Sequence, residues 1–595
     1  MHQEQRRAFH ILHLRGIPSA LALAALTLMA ENNCAADNRS EPVLLQLSLE
    51  DLGKVAITSV SRKSETLSDA PAAIYVLQQE EIRRSGVNSL PEMFRMAPGM
   101  AVAQANSHQW AITARGFNNI FANKLLVLMD GRALYTPGFS GVYWEEADTV
   151  LEDLDRIEVI RGPGASVWGA NAVNGVINIM TKSAKETQGT LISGGGGLEE
   201  RGFGTVRYGG RLATNVYYRV YGRYFNRDEF TLTNGRGAGD QWWKSQGGFR
   251  LDWEPSEANT MTLQGDYYYG QMNGQVMRHS LSPIGVFPSS YRGKVEGMNF
   301  LGRWTHSFSE ESDFSAKSHF DRTDRAFGIG SEIRKTIYFD AQHRFQLGER
   351  QEIVWGLGYR YSTDELAQSP DFAVNDLDLG LQLFSAFVQD EISVVPDLLR
   401  LTLGTKVEHN DFTGFEVQPS ARLAWTPHDR HTIWSAVSRA VRTPSRSERG
   451  RSFYLDPPVS VPFPIPVLAW GVGNSEIDSE KVLAYELGYR LKAHDRLTLD
   501  SAVFYNVYDE LWATTVLPGE LRFVPQPHLF VTATSSNDLY GEGYGAEMSA
   551  VWQPLDAWRL RAGYTFLKLN RKTHGPVRSL TEGWEKDDPQ QQVFL

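Results

Sequence analysis

The side chains of this chain that could do chemistry are aromatic, amide and charged, and almost none is a nucleophile. HExxH, GxSxG and P-loop spacings are absent, and the 14 histidines form no metal-ligand spacing. Cys34 is the single cysteine. Two short segments stand out instead. Gln104–Trp110 (QANSHQW) and Tyr135–Glu146 (YTPGFSGVYWEE) gather His108, Trp110, Tyr135, Phe139, Tyr143 and Trp144. Aromatic groups of this kind hold bulky apolar or chelated ligands through contact area and stacking. A third stretch, Asp456–Asn474, sets Phe463, Leu468 and Trp470 among prolines that hold the backbone extended. The chemistry these residues support is binding, with no catalytic residue, resident metal or cofactor expected. The alternative for each aromatic is plain packing.

The elements that must position them are strands. From Thr187 onward, segments of alternating polarity follow one another. Asn215–Asn226 puts Tyr217, Arg219, Tyr221 and Arg223 on one face and Val216, Tyr218, Val220 and Tyr224 on the other. Leu401–Asn410 sets Thr402, Lys406, Glu408 and Asn410 against Leu401, Leu403 and Val407. A Lys or Arg facing lipid would cost about 2–4 kcal/mol at mid-membrane, so the charged faces must look into a lumen. Short turns at 213–214, 255–258, 348–350, 396–397, 427–430 and 555–557 alternate with long links at 227–241, 270–292, 446–480 and 509–539. That alternation is the pattern of an outer-membrane barrel, with about 18 strands countable. A soluble sandwich is the competing reading, but it would not use so many strands in series.

Ahead of the barrel, Arg156–Lys182 (RIEVIRGPGASVWGANAVNGVINIMTK) places two β-branched runs around a Gly-, Ala- and Asn-rich turn. On spacing alone this is a tight strand–turn–strand corner, in which Pro163 forbids a simple helix. Together with LLVLMDGR (Leu125–Arg132) and ITARGF (Ile112–Phe117), it resembles the plug of TonB-dependent outer-membrane receptors. The match covers residues 50–185 in order and the remainder more loosely.

The resemblance implies a membrane β-barrel, antiparallel and of about 22 strands when complete, filled by an N-terminal mixed α/β plug. Against that number, about four strands are missing and the chain is expected to be C-terminally truncated. The expected layout is a signal peptide at 1–36, a periplasmic segment at 37–63, the plug at 64–184 and the barrel at 185–595. Arg6, Arg7 and Arg15 ahead of the apolar run Ile17–Ala30 support the signal, and cleavage after Ala36 would remove the only thiol. No separate signalling domain fits between Asp37 and Leu47. The stretch Leu52–Lys63 resembles a TonB box, which makes Lys54, Val55, Ala56, Ile57, Thr58 and Ser59 the expected contact for a periplasmic energy-coupling protein by β-augmentation. A plain edge strand of the plug is the alternative there.

By the same resemblance, Arg115 and Arg161 occupy plug-arginine positions, and Glu391 and Glu486 occupy barrel-wall carboxylate positions. They are expected to lock plug to wall through bidentate pairs, Arg161 with Glu391 or Glu486. The aromatic segments become outward-facing plug loops, and the Arg446–Glu480 link becomes an outer loop bringing Phe463, Leu468 and Trp470 opposite Trp110, Tyr143 and Trp144. Family function would be energised uptake of a scarce solute, a ferric siderophore being the usual cargo, with cobalamin, haem, an oligosaccharide or another metal chelate as alternatives. Haem is disfavoured, because no histidine lies between SRAVRTP (Ser438–Pro444) and GNSEIDSEK (Gly473–Lys481). A passive porin and a membrane-embedded enzyme are the contrasting classes. The net charge of −11 argues against nucleic acid, and the expected surroundings are the lipid of a Gram-negative outer membrane.

Overall fold

The alternating segments build one 22-stranded sheet in a computed structural model that describes residues 55–282, 284–455, 466–555, 557–574 and 582–595. The expected signal peptide, the linker after it, Lys54 and Phe463 lie outside the described residues. Four of the 22 strands are short and sit in connections: Arg451–Leu455, Val467–Val472 and Glu520–Arg522 in two of the long links, and Phe372–Val374 between Gln351–Ala367 and Asp378–Val395. The other 18 form the wall, each paired antiparallel with its neighbours in it. Among the described residues, Gly189–Gly195 pairs only with Glu200–Ala213, and Gln591–Phe594 only with Trp558–Thr573.

Alternation decides which way each side chain points. Val220 and Tyr224 are exposed on the outer surface, whereas Arg219 beside them is buried. Leu403 and Val407 face out while Thr402, Lys406 and Glu408 are buried inside. The long links are more strand-like than their composition suggests. Asn259–Leu281 and Ile284–Ser309 continue as one hairpin through the stretch expected as a loop at 270–292, paired as far as Leu281 and Ile284. Leu497–Val516 and His528–Leu555 likewise extend into the 509–539 link. No described helix is long and apolar enough to cross a membrane.

Inside the wall lies a five-stranded sheet in the order Ala73–Gln78, Leu154–Arg161, Gly175–Thr181, Leu125–Met129 and Arg132–Ala133. The pairing of Leu125–Met129 with Gly175–Thr181 is parallel, and both strands are almost wholly buried and apolar, as a parallel pair requires. The helix Gln79–Ser85 ends at Gly86, whose φ of 71° provides the left-handed cap. The turn after Arg161 contains one helical turn, Ala165–Trp168, beginning past Pro163 and Gly164, so the expected corner is a strand–helical turn–strand unit. Residues 55–63, expected ahead of the plug, pack against it: Ala56–Ile57 pairs with Glu65–Thr66, and Ile57 and Val60 are buried beside plug residues.

Candidate functional site

The plug meets the wall through buried charge. Arg115 has φ 55° at the end of the strand Trp110–Ala114, and its guanidinium faces two wall carboxylates: Glu486 at 2.7 Å and Glu547 at 3.0 Å. It also lies 4.2 Å from the centre of the Phe504 ring. Burial alone would lower the Arg115 pKa, but Glu547 and Glu486 together outweigh it and hold the group above its ordinary value. Arg161 reaches Glu547 at 3.3 Å and donates to the Pro98 carbonyl at 3.1 Å. Gly162, with φ 108°, lets the backbone approach Glu486 so closely that a Cβ would collide with the carboxylate.

Three of the four expected lock residues therefore gather here. The structure corrects the fourth, because Glu391 is not near Arg161. It sits toward the short-turn end of the wall with Arg400 and with Lys63 at 3.1 Å. Glu547 was not singled out in the sequence. It is one of many inward carboxylates on alternating strands, and nothing in GYGAEMSAV marks it.

The box-like stretch is held in the plug rather than left free. The Thr58 and Ser59 amides donate to Glu158 at 3.1 and 2.9 Å, and the Ser59 hydroxyl donates to it at 2.5 Å. Val55 and Ala56 precede the buried Ile57. Arg62 then pairs with Asp340 at 2.7 Å and lies 4.9 Å from both the Trp168 and Phe387 ring centres. Lys63 reaches Glu352 at 2.5 Å. In this conformation the Thr58 and Ser59 amides are already taken by Glu158, and Ala56–Ile57 pairs along one edge with Glu65–Thr66.

Between plug and wall, on the half of the barrel away from the short turns, lies a cavity with about 1710 Å³ of non-protein space, part of it open to solvent. Tyr135, Pro137, Tyr143 and Glu146 of the plug line one side, and Tyr268, Tyr338 and Arg360 of the wall line the other. Burial pushes the Tyr143 hydroxyl up to about 12, against the nearby Arg325, so it stays protonated. Burial also raises the Glu146 carboxyl, opposed by Arg334 and Arg325. The long outer link is tied to the same plug loop. The Arg446 and Ser447 amides donate to the carbonyls of Pro137 and Gly138 at 2.8 and 3.0 Å. Lys124 of the plug pairs with Glu480, which pairs with Arg442, which pairs with Glu448. Burial lowers the Lys124 ammonium to about 8 despite Glu480.

Of the expected ligand residues, Tyr135 and Tyr143 line this cavity. Phe139 packs edge-on to Tyr143, at 4.8 Å between centres. Trp110 and Trp144 are corrected to the plug core: Trp110 donates to Glu92 at 3.0 Å, and Trp144 packs on Phe94 at 5.3 Å. Trp470 packs edge-on to Tyr454 at 4.5 Å, and Leu468 is buried.

His108 is buried against Trp242, with Nε2 3.1 Å from the Asn273 carbonyl and no partner at Nδ1 among the described residues. Burial lowers its pKa. The native state therefore binds fewer protons here than the unfolded chain, and stability is lost as pH falls below the unfolded value of about 6.5. Once corrected for the intrinsic pH dependence of the amides, hydrogen exchange in Gln104–Trp110 should rise between pH 7 and 5, and His108→Gln should flatten that rise. An equal rise in the variant would refute this role.

Comparison with known proteins agrees with this architecture. The family description "TonB dependent receptor-like, beta-barrel" matches residues 187–591, and "TonB-dependent Receptor Plug Domain" matches residues 66–176. The chain is similar to the ferric enterobactin receptor of Pseudomonas aeruginosa, at 23% identity over 78% of this chain and 70% of that protein. It is also similar to the vitamin B12 transporter BtuB of Vibrio vulnificus, at 30% identity over 25% of each. The crystal structure of a mutant ferric enterobactin receptor, PfeA of P. aeruginosa, superposes with a TM-score of 0.67 at 18% identity, covering 83% of this chain and 80% of that one. A plug sheet pinned by buried charge inside an alternating wall, matched along both parts, has one reading: the chain belongs to the TonB-dependent receptor family.

Proposed function

We propose that this receptor takes up an iron chelate of the siderophore type through the Gram-negative outer membrane, in which its apolar wall face sits. The observation that carries the reading is the cavity between plug and wall. It is partly open to solvent and is lined by aromatic and charged groups. Aromatic rings set beside paired charges suit a bulky chelate better than a bare ion. The ferric enterobactin receptor among its relatives points to the same cargo class. Arg115, Arg161, Glu486 and Glu547 keep the plug seated, and residues 55–59 are the segment that a periplasmic energy-coupling protein would withdraw.

The local likeness to a vitamin B12 transporter keeps cobalamin as the second reading. Purified full-length protein titrated with a panel of ferric chelates and with cyanocobalamin separates the two. Saturable binding of a ferric chelate, with none of cyanocobalamin, is expected. Saturable binding of cyanocobalamin alone would overturn the iron reading.

A further inference from the structure

Seven Lys and Arg side chains line the cavity, and six have a carboxylate within 3.7 Å. Arg360 is the seventh. Among the described residues it has no ion pair and no hydrogen bond, and its one recorded contact is the Tyr135 ring, 5.0 Å from the guanidinium carbon.

Register shows why no wall group neutralises it. His319, Tyr338, Arg360, Leu383 and Asn410 are directly opposite one another on five successive wall strands, and all five line the cavity. That row contains no carboxylate. In the row on one side, Asp321 is taken by Arg132 at 2.8 Å. In the row on the other, Asp340 is taken by Arg62, and Glu408 accepts from the Ala170 amide at 2.6 Å and from Gln418 at 2.8 Å. Every carboxylate of the three rows is thus engaged elsewhere. An unmatched guanidinium facing a half-buried cavity gains most from an anion delivered with the ligand. Its planar fork, resting over a tyrosine ring, suits a flat anion that presents two oxygens together.

We propose that Arg360 is the specificity anchor of the cavity and that the cargo is a net-anionic chelate presenting paired oxygens, from a catecholate or a carboxylate, to its guanidinium. The inference rests on the iron-chelate reading above and narrows it, since neutral hydroxamate chelates lack the charge that Arg360 calls for.

The test is titration of purified full-length receptor, followed by tryptophan fluorescence. The probes are a ferric tris-catecholate, a ferric α-hydroxycarboxylate and a neutral ferric tris-hydroxamate. Wild-type protein should bind one or both anionic chelates at least about tenfold tighter than the neutral one, and which of the two binds identifies the source of the oxygens. Arg360→Gln should weaken the anionic chelate by about tenfold or more, and Arg360→Lys, which keeps charge without the fork, should fall between. Neutral-chelate binding should not change. Equal wild-type affinity for anionic and neutral chelates would overturn the proposal while leaving iron uptake standing, and that comparison needs no variant. So would an Arg360→Gln affinity within about twofold of wild type. If folded protein binds none of the three, both readings fall.

Discussion

Replacing Glu547 by Ala should make the outer membrane leaky to large antibiotics and open the plug to protease. Glu547 is the one carboxylate shared by both plug arginines, at 3.0 Å from Arg115 and 3.3 Å from Arg161, and its side chain is 2% exposed. Removing it leaves two buried guanidinium groups with a single carboxylate, Glu486, on one of them. Breaking one partner of such a buried cluster costs about 3–5 kcal/mol, far more than the intact cluster contributes. Glu547→Gln, which keeps hydrogen-bonding oxygen and size but not charge, should leak less. Gly162→Val should act in the same direction by a different route, because the new side chain would strike Glu486 at a φ that L-residues rarely adopt. Vancomycin sensitivity and limited proteolysis of cells carrying each variant measure the effect. Wild-type resistance in both Glu547→Ala and Gly162→Val would refute the lock.

Deleting Leu52–Val60 should abolish energised uptake while leaving cargo binding at the cell surface. The deletion removes the segment expected to meet the energy-coupling protein. It also strips Glu158 of the Thr58 and Ser59 donors and takes Val60 from the core. A companion variant separates the two effects. Ser59→Ala removes the hydroxyl contact to Glu158 but keeps the segment, so it should cost about 1 kcal/mol of plug stability and leave uptake in place. Uptake surviving the deletion would place the coupling site elsewhere.

The barrel was legible in the sequence because lipid enforces alternation strand by strand. Val220 outside and Arg219 inside are readable from YRV alone. The plug strand Leu125–Met129 and the helix stop at Gly86 were legible for the same kind of reason, being set by local pattern and backbone. Pairing across the lumen was not. Glu391, Glu408, Glu486 and Glu547 all sit at inward positions of alternating strands. Which of them faces Arg161 depends on the stagger of the wall and the seating of the plug, neither of which leaves a local mark. Aromatic composition misled in a similar way. Trp110 and Tyr143 look alike as members of aromatic loops, but Trp110 begins a strand and turns its indole to Glu92, whereas Tyr143 faces the cavity. Arg360 became visible only through what its neighbours do.

The central claim is that a plugged receptor moves an iron chelate only when energised. Accumulation of a radioactive iron chelate by cells carrying this receptor, with and without the periplasmic energy-coupling protein, tests it most directly. Uptake that saturates with chelate and disappears without the coupling protein, while surface binding persists, is the predicted result. Uptake that rises linearly with concentration and ignores the coupling protein would show a passive pore and contradict the account.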